Sequence, residues 1–130
     1  MTTQVAELAV EQQVERAVHA RAARSPISAI AGYLQGDLGQ RLTAVIAGVR
    51  DAKAVGKWAA GEREPHPAAA QRLRNAYQVV ELLMQAEEAD TVRAWFRGMN
   101  PYLGDEAPAL AIAEHPTSVL RAARAFLAGE

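Results

Sequence analysis

The 130-residue chain contains no cysteine. That excludes a disulfide framework, a thiolate zinc site and a cysteine nucleophile, and it fits a reducing compartment. Aromatic residues are few, with two Trp, three Tyr and two Phe. β-Branched residues are sparse beside abundant alanine. This balance favours packed helices over sheets. No apolar run approaches the roughly 20 residues of a membrane span, and the first residues lack the basic and apolar regions of a secretory signal. A cytoplasmic protein without a membrane partner is expected. An excess of charge of one sign is missing too, since the net charge is −1.

What is present is a core's worth of apolar residues, half of the chain, and an uneven spread of charge. Residues 41–74 carry seven cations (Arg41, Arg50, Lys53, Lys57, Arg63, Arg72, Arg74) against three carboxylates, whereas residues 75–130 carry four against eight. The middle segment is either an anion-binding footprint or an ordinary solvated face.

The periodicity reads as helices throughout. Residues 4–24 carry an imperfect stripe of Val5, Leu8, Ala9, Val14 and Val18. Ser25-Pro26 breaks that helix, a short one follows over 27–35, and Gly36 and Gly39 bracket the next step. "QRLTAVIAG" and "AKAVGKWAAG" are two short helices, and "GEREPHP" is a loop. Residues 67–86 form the clearest helix, with Leu73, Ala76, Tyr77, Val80, Leu83 and Met84 on one face and Pro67 in the first turn. Asp90 is placed as the cap of a helix burying Val92, Trp95, Phe96 and Met99, with Gly98 at its end. Pro108 opens a helix bearing Leu110 and Ile112. Thr117 or Ser118 caps the last helix, whose face is Val119, Ala122, Ala123, Phe126 and Leu127.

No catalytic constellation emerges. His19, His66 and His115 are far apart and lack a partner at helical spacing. Ser25, Ser28 and Ser118 sit at helix boundaries, "GKW" lacks the phosphate-loop pattern, and Asp105-Glu106 precedes a helix, where the dipole favours acidic groups. No enzymatic activity, cofactor or metal is expected.

The two short helices of residues 40–60 have the spacing of a helix-turn-helix. Ala44 permits close approach, Gly48 suits the turn, and Val55 and Trp58 pack the second helix. Lys53 and Lys57 share a face of that helix, with Arg50 before it and Arg63 after it. These four are the candidate DNA contacts. A plain helical hairpin with solvated cations is the equal alternative. In the last helix, Arg121 and Arg124 lie opposite the apolar stripe and are candidates for intermolecular contact. That helix either docks on its own chain or is held by a partner.

Together, "GVRDAKAVGKWAAGEREP" and "VRAWFRGMNPYLGDEAPALAIAEHPTSVLRAARAFLAGE" resemble the Xre/MbcA/ParS-like antitoxins of bacterial RES-Xre toxin–antitoxin pairs over roughly residues 38–130. Gly48, Val49, Val55, Lys57, Trp58, Gly61 and Pro65 carry the first part of the likeness; Trp95, Asn100, Leu103, Gly104, Pro108, Leu110, Val119 and Phe126 carry the second. The chain departs from the family at Ala54, in one extra residue between Gly48 and Trp58, and at His115-Pro116. The resemblance implies an all-α fold with an Xre-like helix-turn-helix core over 37–88 and a toxin-binding module over 89–130, after a helical extension over 1–36. It implies a type II antitoxin that neutralises a RES-domain, NAD-degrading toxin and represses its own promoter DNA, as a homodimer or within a larger assembly. Asn100, Leu103 and Gly104, with Arg121 and Arg124, are then the toxin contacts. A stand-alone transcriptional regulator, or a helical interaction module without DNA binding, are the alternatives.

Overall fold

The computed structural model describes the backbone from Thr2 and the side chains from Gln4, up to Glu130. Met1 and the side chains of Thr2 and Thr3, part of the expected extension, lie outside the described residues. Among the described residues all regular structure is helical. The helices are α1 (Thr2–Arg24), α2 (Ile27–Leu38), α3 (Gln40–Ala47), α4 (Lys53–Ala59), α5 (Pro67–Leu83), α6 (Ala89–Arg97), α7 (Pro108–Ala111) and α8 (Pro116–Leu127), with a 3₁₀ turn at Pro101–Leu103. No helix is long and apolar enough to cross a membrane.

Helix α5 is the central post. Its buried side is Ala69, Leu73, Ala76, Tyr77, Val79, Val80, Leu82 and Leu83, wide enough to receive α1, α2, α3 and α8. Pro67 starts it, and the His66 Nδ1 accepts a hydrogen bond from the Ala68 N–H at 3.3 Å. Helix α2 lies across α5 and α4 and buries Ile30, Ala31, Leu34 and Leu38, a one-face spacing. It continues through Gly36, which the sequence placed at a break, and ends at Gly39, whose φ of 85° is left-handed. One glycine without a proline does not stop a helix whose apolar face continues to Leu38. The boundary expected at 36/37 therefore falls inside a helix.

Helix α1 differs most from expectation. Of the stripe read in the sequence, Val18 is buried and Val14 half-buried, while Val5 and Leu8 are exposed. Buried Ala22 joins Val18 instead. Helix α1 packs on α5, and burial along it begins at Val14, so its earlier apolar residues stay exposed.

Residues 89–130 add to this core and do not build a separate one. Val92 and Phe96 of α6, Ala109 and Ala111 of α7, Ile112 after it and Val119 and Ala123 of α8 join one apolar cluster with α2–α5. Helix α6 packs on α2, α7 on α3 and α8 on α5. The last helix thus docks on its own chain. Its face holds buried Val119, Ala122, Ala123 and Ala125, with Leu127 half-buried and Phe126 at the exposed edge.

Several local expectations are corrected. The α6 helix begins at Ala89 after Glu88, and Asp90 lies in its first turn, paired with Arg93. Met99 falls beyond the helix end and is 80% exposed. Gly98 has an extended φ of −79°, so its special freedom is unused there. Leu110 is exposed while Ile112 is buried, because α7 is a single turn that packs against α3, α6 and α8 with Leu110 on its outer side. Helix α8 starts at Pro116, ahead of the expected cap Thr117 or Ser118 by one or two residues, since proline fits the first helical position.

Candidate functional site

The α3–turn–α4 unit is built from small residues at close approach. Ala44 is buried in α3, and Thr43, wholly buried, satisfies its hydroxyl by donating to the Gly39 carbonyl at 2.7 Å. Gly48 ends α3 with φ 79° and ψ 26°, a left-handed conformation that costs a residue with a Cβ about 1–2 kcal/mol. Its missing Cβ matters a second time. A Cβ there would run into the Arg72 guanidinium, which donates to the Ala47 carbonyl at 3.1 Å and so closes the end of α3.

Helix α4 is held from within by Ala54, Val55 and Trp58, all buried. The Asp51 carboxylate accepts from the Lys53 N–H at 3.0 Å and caps its start, a role the sequence pattern did not reveal although an Asp two residues before a helix is a usual signal. Gly56 faces α3: a Cβ there would lie 2.8 Å from the Gln40 amide nitrogen. With one side so occupied, α4 turns Lys53 and Lys57 outward, and both are exposed. Arg50 in the turn and Arg63 in the loop after Gly61 are exposed as well. Among the described residues, none of the four takes part in an ion pair.

The cationic footprint is smaller than the sequence count. Arg72 and Arg74 point inward and close helix ends, Arg74 donating to the Ala22 and Ser25 carbonyls at 2.7 and 2.8 Å. Arg41 is exposed and adds to the outward set, while Asp51, Glu62 and Glu64 stand exposed on the same segment.

The second candidate region is the corner after α6. Asn100 is buried, and it organises the corner from inside. Its side-chain oxygen accepts from the Tyr102 N–H at 2.9 Å, and its carbonyl accepts from the Leu103 and Asp105 N–H groups at 2.9 Å each. Gly104 and Asp105 follow with φ 63° and 66°, two successive left-handed residues that reverse the chain into Pro108. Leu103 is half-buried. Asn100, Leu103 and Gly104 are thus placed as builders of the corner. What the corner exposes is Met99, Tyr102 (56%) and Leu110 (58%), of which Met99 and Leu110 belong to the sequence pattern and Tyr102 does not. Trp95 is half-buried, edge-on to Phe96 with ring centroids 5.1 Å apart and tilted against Phe126 at 6.4 Å.

The two arginines of α8 part company. Arg124 pairs with Glu15 of α1, while Arg121 is exposed and joins no ion pair among the described residues. No cluster of His, Cys, Asp or Glu among the described residues has the arrangement of a metal site. No protein-family model, curated protein or solved structure matches the chain.

Proposed function

We propose that the protein is a cytoplasmic type II antitoxin, with α3–turn–α4 as a DNA-binding helix-turn-helix and the α6–α8 corner as the surface that holds a RES-domain toxin. One observation supports the DNA half most. Gly48, Asp51, Val55 and Trp58 fix a short helix at a tight turn, and that helix presents Lys53 and Lys57 to solvent without internal partners. In a helix-turn-helix the second helix enters the major groove. Arg50 and Arg63 then reach phosphates on either side, and Lys53 at the helix start reaches base edges.

The toxin half rests on the motif likeness and on the apolar side chains at the corner. Met99, Tyr102 and Leu110 are exposed apolar side chains on and beside the turn that Asn100 organises, groups of the kind that a protein interface covers. Arg121 supplies an exposed cation on the neighbouring α8.

Two experiments test the reading separately. Lys53→Glu is expected to abolish the gel shift of DNA from upstream of the protein's own gene, and unchanged affinity rejects the DNA assignment. Co-expression with the toxic RES-domain product of a neighbouring gene is expected to restore growth, and continued killing rejects the antitoxin assignment.

A further inference from the structure

Helix α4 offers solvent a single kind of chemistry. Lys53 and Lys57 are its only exposed residues, with Ala54, Val55 and Trp58 buried and Gly56 and Ala59 half-buried. None of its seven residues carries a side-chain hydrogen-bond acceptor. The polar groups around it are tied down or lie off the helix. The Asp51 carboxylate accepts from the Lys53 N–H at 3.0 Å, and the Gln40 amide beside Gly56 donates to Gln35 at 3.1 Å. Glu62 and Glu64 follow Gly61, whose left-handed φ of 73° closes the helix end, where the Glu62 N–H donates to the Lys57 carbonyl at 3.0 Å.

We infer, resting on the DNA reading above, that α4 selects guanine: Lys53 and Lys57 each donate to the O6 and N7 of one guanine in the major groove. There each base shows its own pattern of donors and acceptors. Guanine presents two acceptors, adenine an acceptor beside an amino donor, thymine one acceptor beside a methyl group, and cytosine an amino donor. Adenine is read by a side chain that both donates and accepts, such as Asn or Gln, and cytosine by a carboxylate. Helix α4 has neither. An ammonium group has three donors and no acceptor, so it makes two bonds at guanine and meets donor with donor at the amino groups of adenine and cytosine. With no other exposed side chain on α4, nothing bulky holds the lysines off the groove floor. The two lysines stand four residues apart, which is about 6 Å along a helix axis, and base pairs stack about 3.4 Å apart. The two guanines under each copy are therefore roughly two base-pair steps apart.

Selection by the full chain from a pool of random-sequence duplexes tests the assignment. The recovered sites are expected to share two G·C pairs at that spacing, and replacing either by A·T to weaken binding about 5- to 150-fold. Substituting 7-deazaguanine, which lacks the N7 acceptor, is expected to weaken binding too. Inosine, which keeps O6 and N7 and lacks only the minor-groove amino group, is expected to bind as guanine does. Lys53→Gln and Lys57→Gln, both at exposed positions, are each expected to move the preference at one of the two positions towards adenine and leave the other unchanged. Recovered sites without shared guanines, indifference to 7-deazaguanine, or variants that weaken binding with base preference unchanged overturn the inference alone, because the lysines would then meet phosphates and the DNA reading would stand. Loss of binding on inosine substitution also overturns it, since the contact would lie in the minor groove. A chain that retains no duplex from the pool rejects the DNA reading and this inference with it.

Discussion

Two residues far apart in the sequence fix the geometry of the α3–α4 turn. Gly48 adopts the left-handed conformation, and Arg72 lies against it to reach the Ala47 carbonyl. Gly48→Ala is expected to lose at least about 1 kcal/mol from backbone strain and to displace the arginine as well. A urea titration reads this as a lower midpoint with an unchanged slope. Arg72→Ala should weaken DNA binding with no change in its salt dependence, because this arginine holds the turn and touches no phosphate. A smaller salt slope would place it on the DNA instead.

Tyr33 makes a second prediction at this scale. Burial, then the nearby Glu81 and Asp37, holds its phenol well above the ordinary value of 10.0. Its ring meets Tyr77 edge-on at 5.0 Å, and Tyr77 donates to Glu81 at 2.8 Å. A folded-state value raised above the unfolded one adds stability in full below the unfolded phenol's titration, and that stability is lost as the pH rises from there. Alkaline unfolding should therefore set in above about pH 10, and Tyr33→Phe should flatten the pH dependence in that range.

At the scale of elements, legibility followed the strength of local rules. Helix α5 was plain because a proline start and a three-and-four apolar repeat agree. The α3–α4 turn was legible because a left-handed turn residue is nearly always glycine. Met99 and Leu110 were misplaced because α6 ends at Arg97 and α7 is a single turn, and short helices leave periodicity too few residues to fix a face. The inward arginines, Arg72 and Arg74, could not be told from surface cations, since their carbonyl partners are 25 or more residues away. Gly36 has the look of a stop in the sequence but is a solvent-facing position in the last turn of α2, with open space where a Cβ would go. Gly36→Ala is thus expected to stabilise the protein by about 0.5–1 kcal/mol. Thermal unfolding should show this as a rise of a few degrees. A fall would mean that the helix needs flexibility there.

At the scale of the molecule, one apolar cluster joins the α3–α4 unit to the corner. The resemblance in the sequence implies two parts, and the packing ties these segments into one body through α2, α3 and α5. The two tryptophans fall one in each part, Trp58 in α4 and Trp95 in α6. In each of the Trp58→Phe and Trp95→Phe variants, the fluorescence of the remaining tryptophan and the helical circular dichroism should give coincident denaturation curves. Phe96→Ala, at a fully buried ring, should lower stability by about 3–5 kcal/mol and shift both reporters together. Separate transitions would show two bodies.

The central claim is that the outward cations of α4 and its flanks meet nucleic acid. The salt dependence of binding to the upstream DNA, compared between the wild type and a Lys53→Gln, Lys57→Gln double variant, tests it most directly. Affinity is expected to fall steeply with salt in the wild type. In the variant the slope should be shallower, by roughly one unit for every phosphate that a copy no longer neutralises. Equal affinity and equal slopes would contradict it.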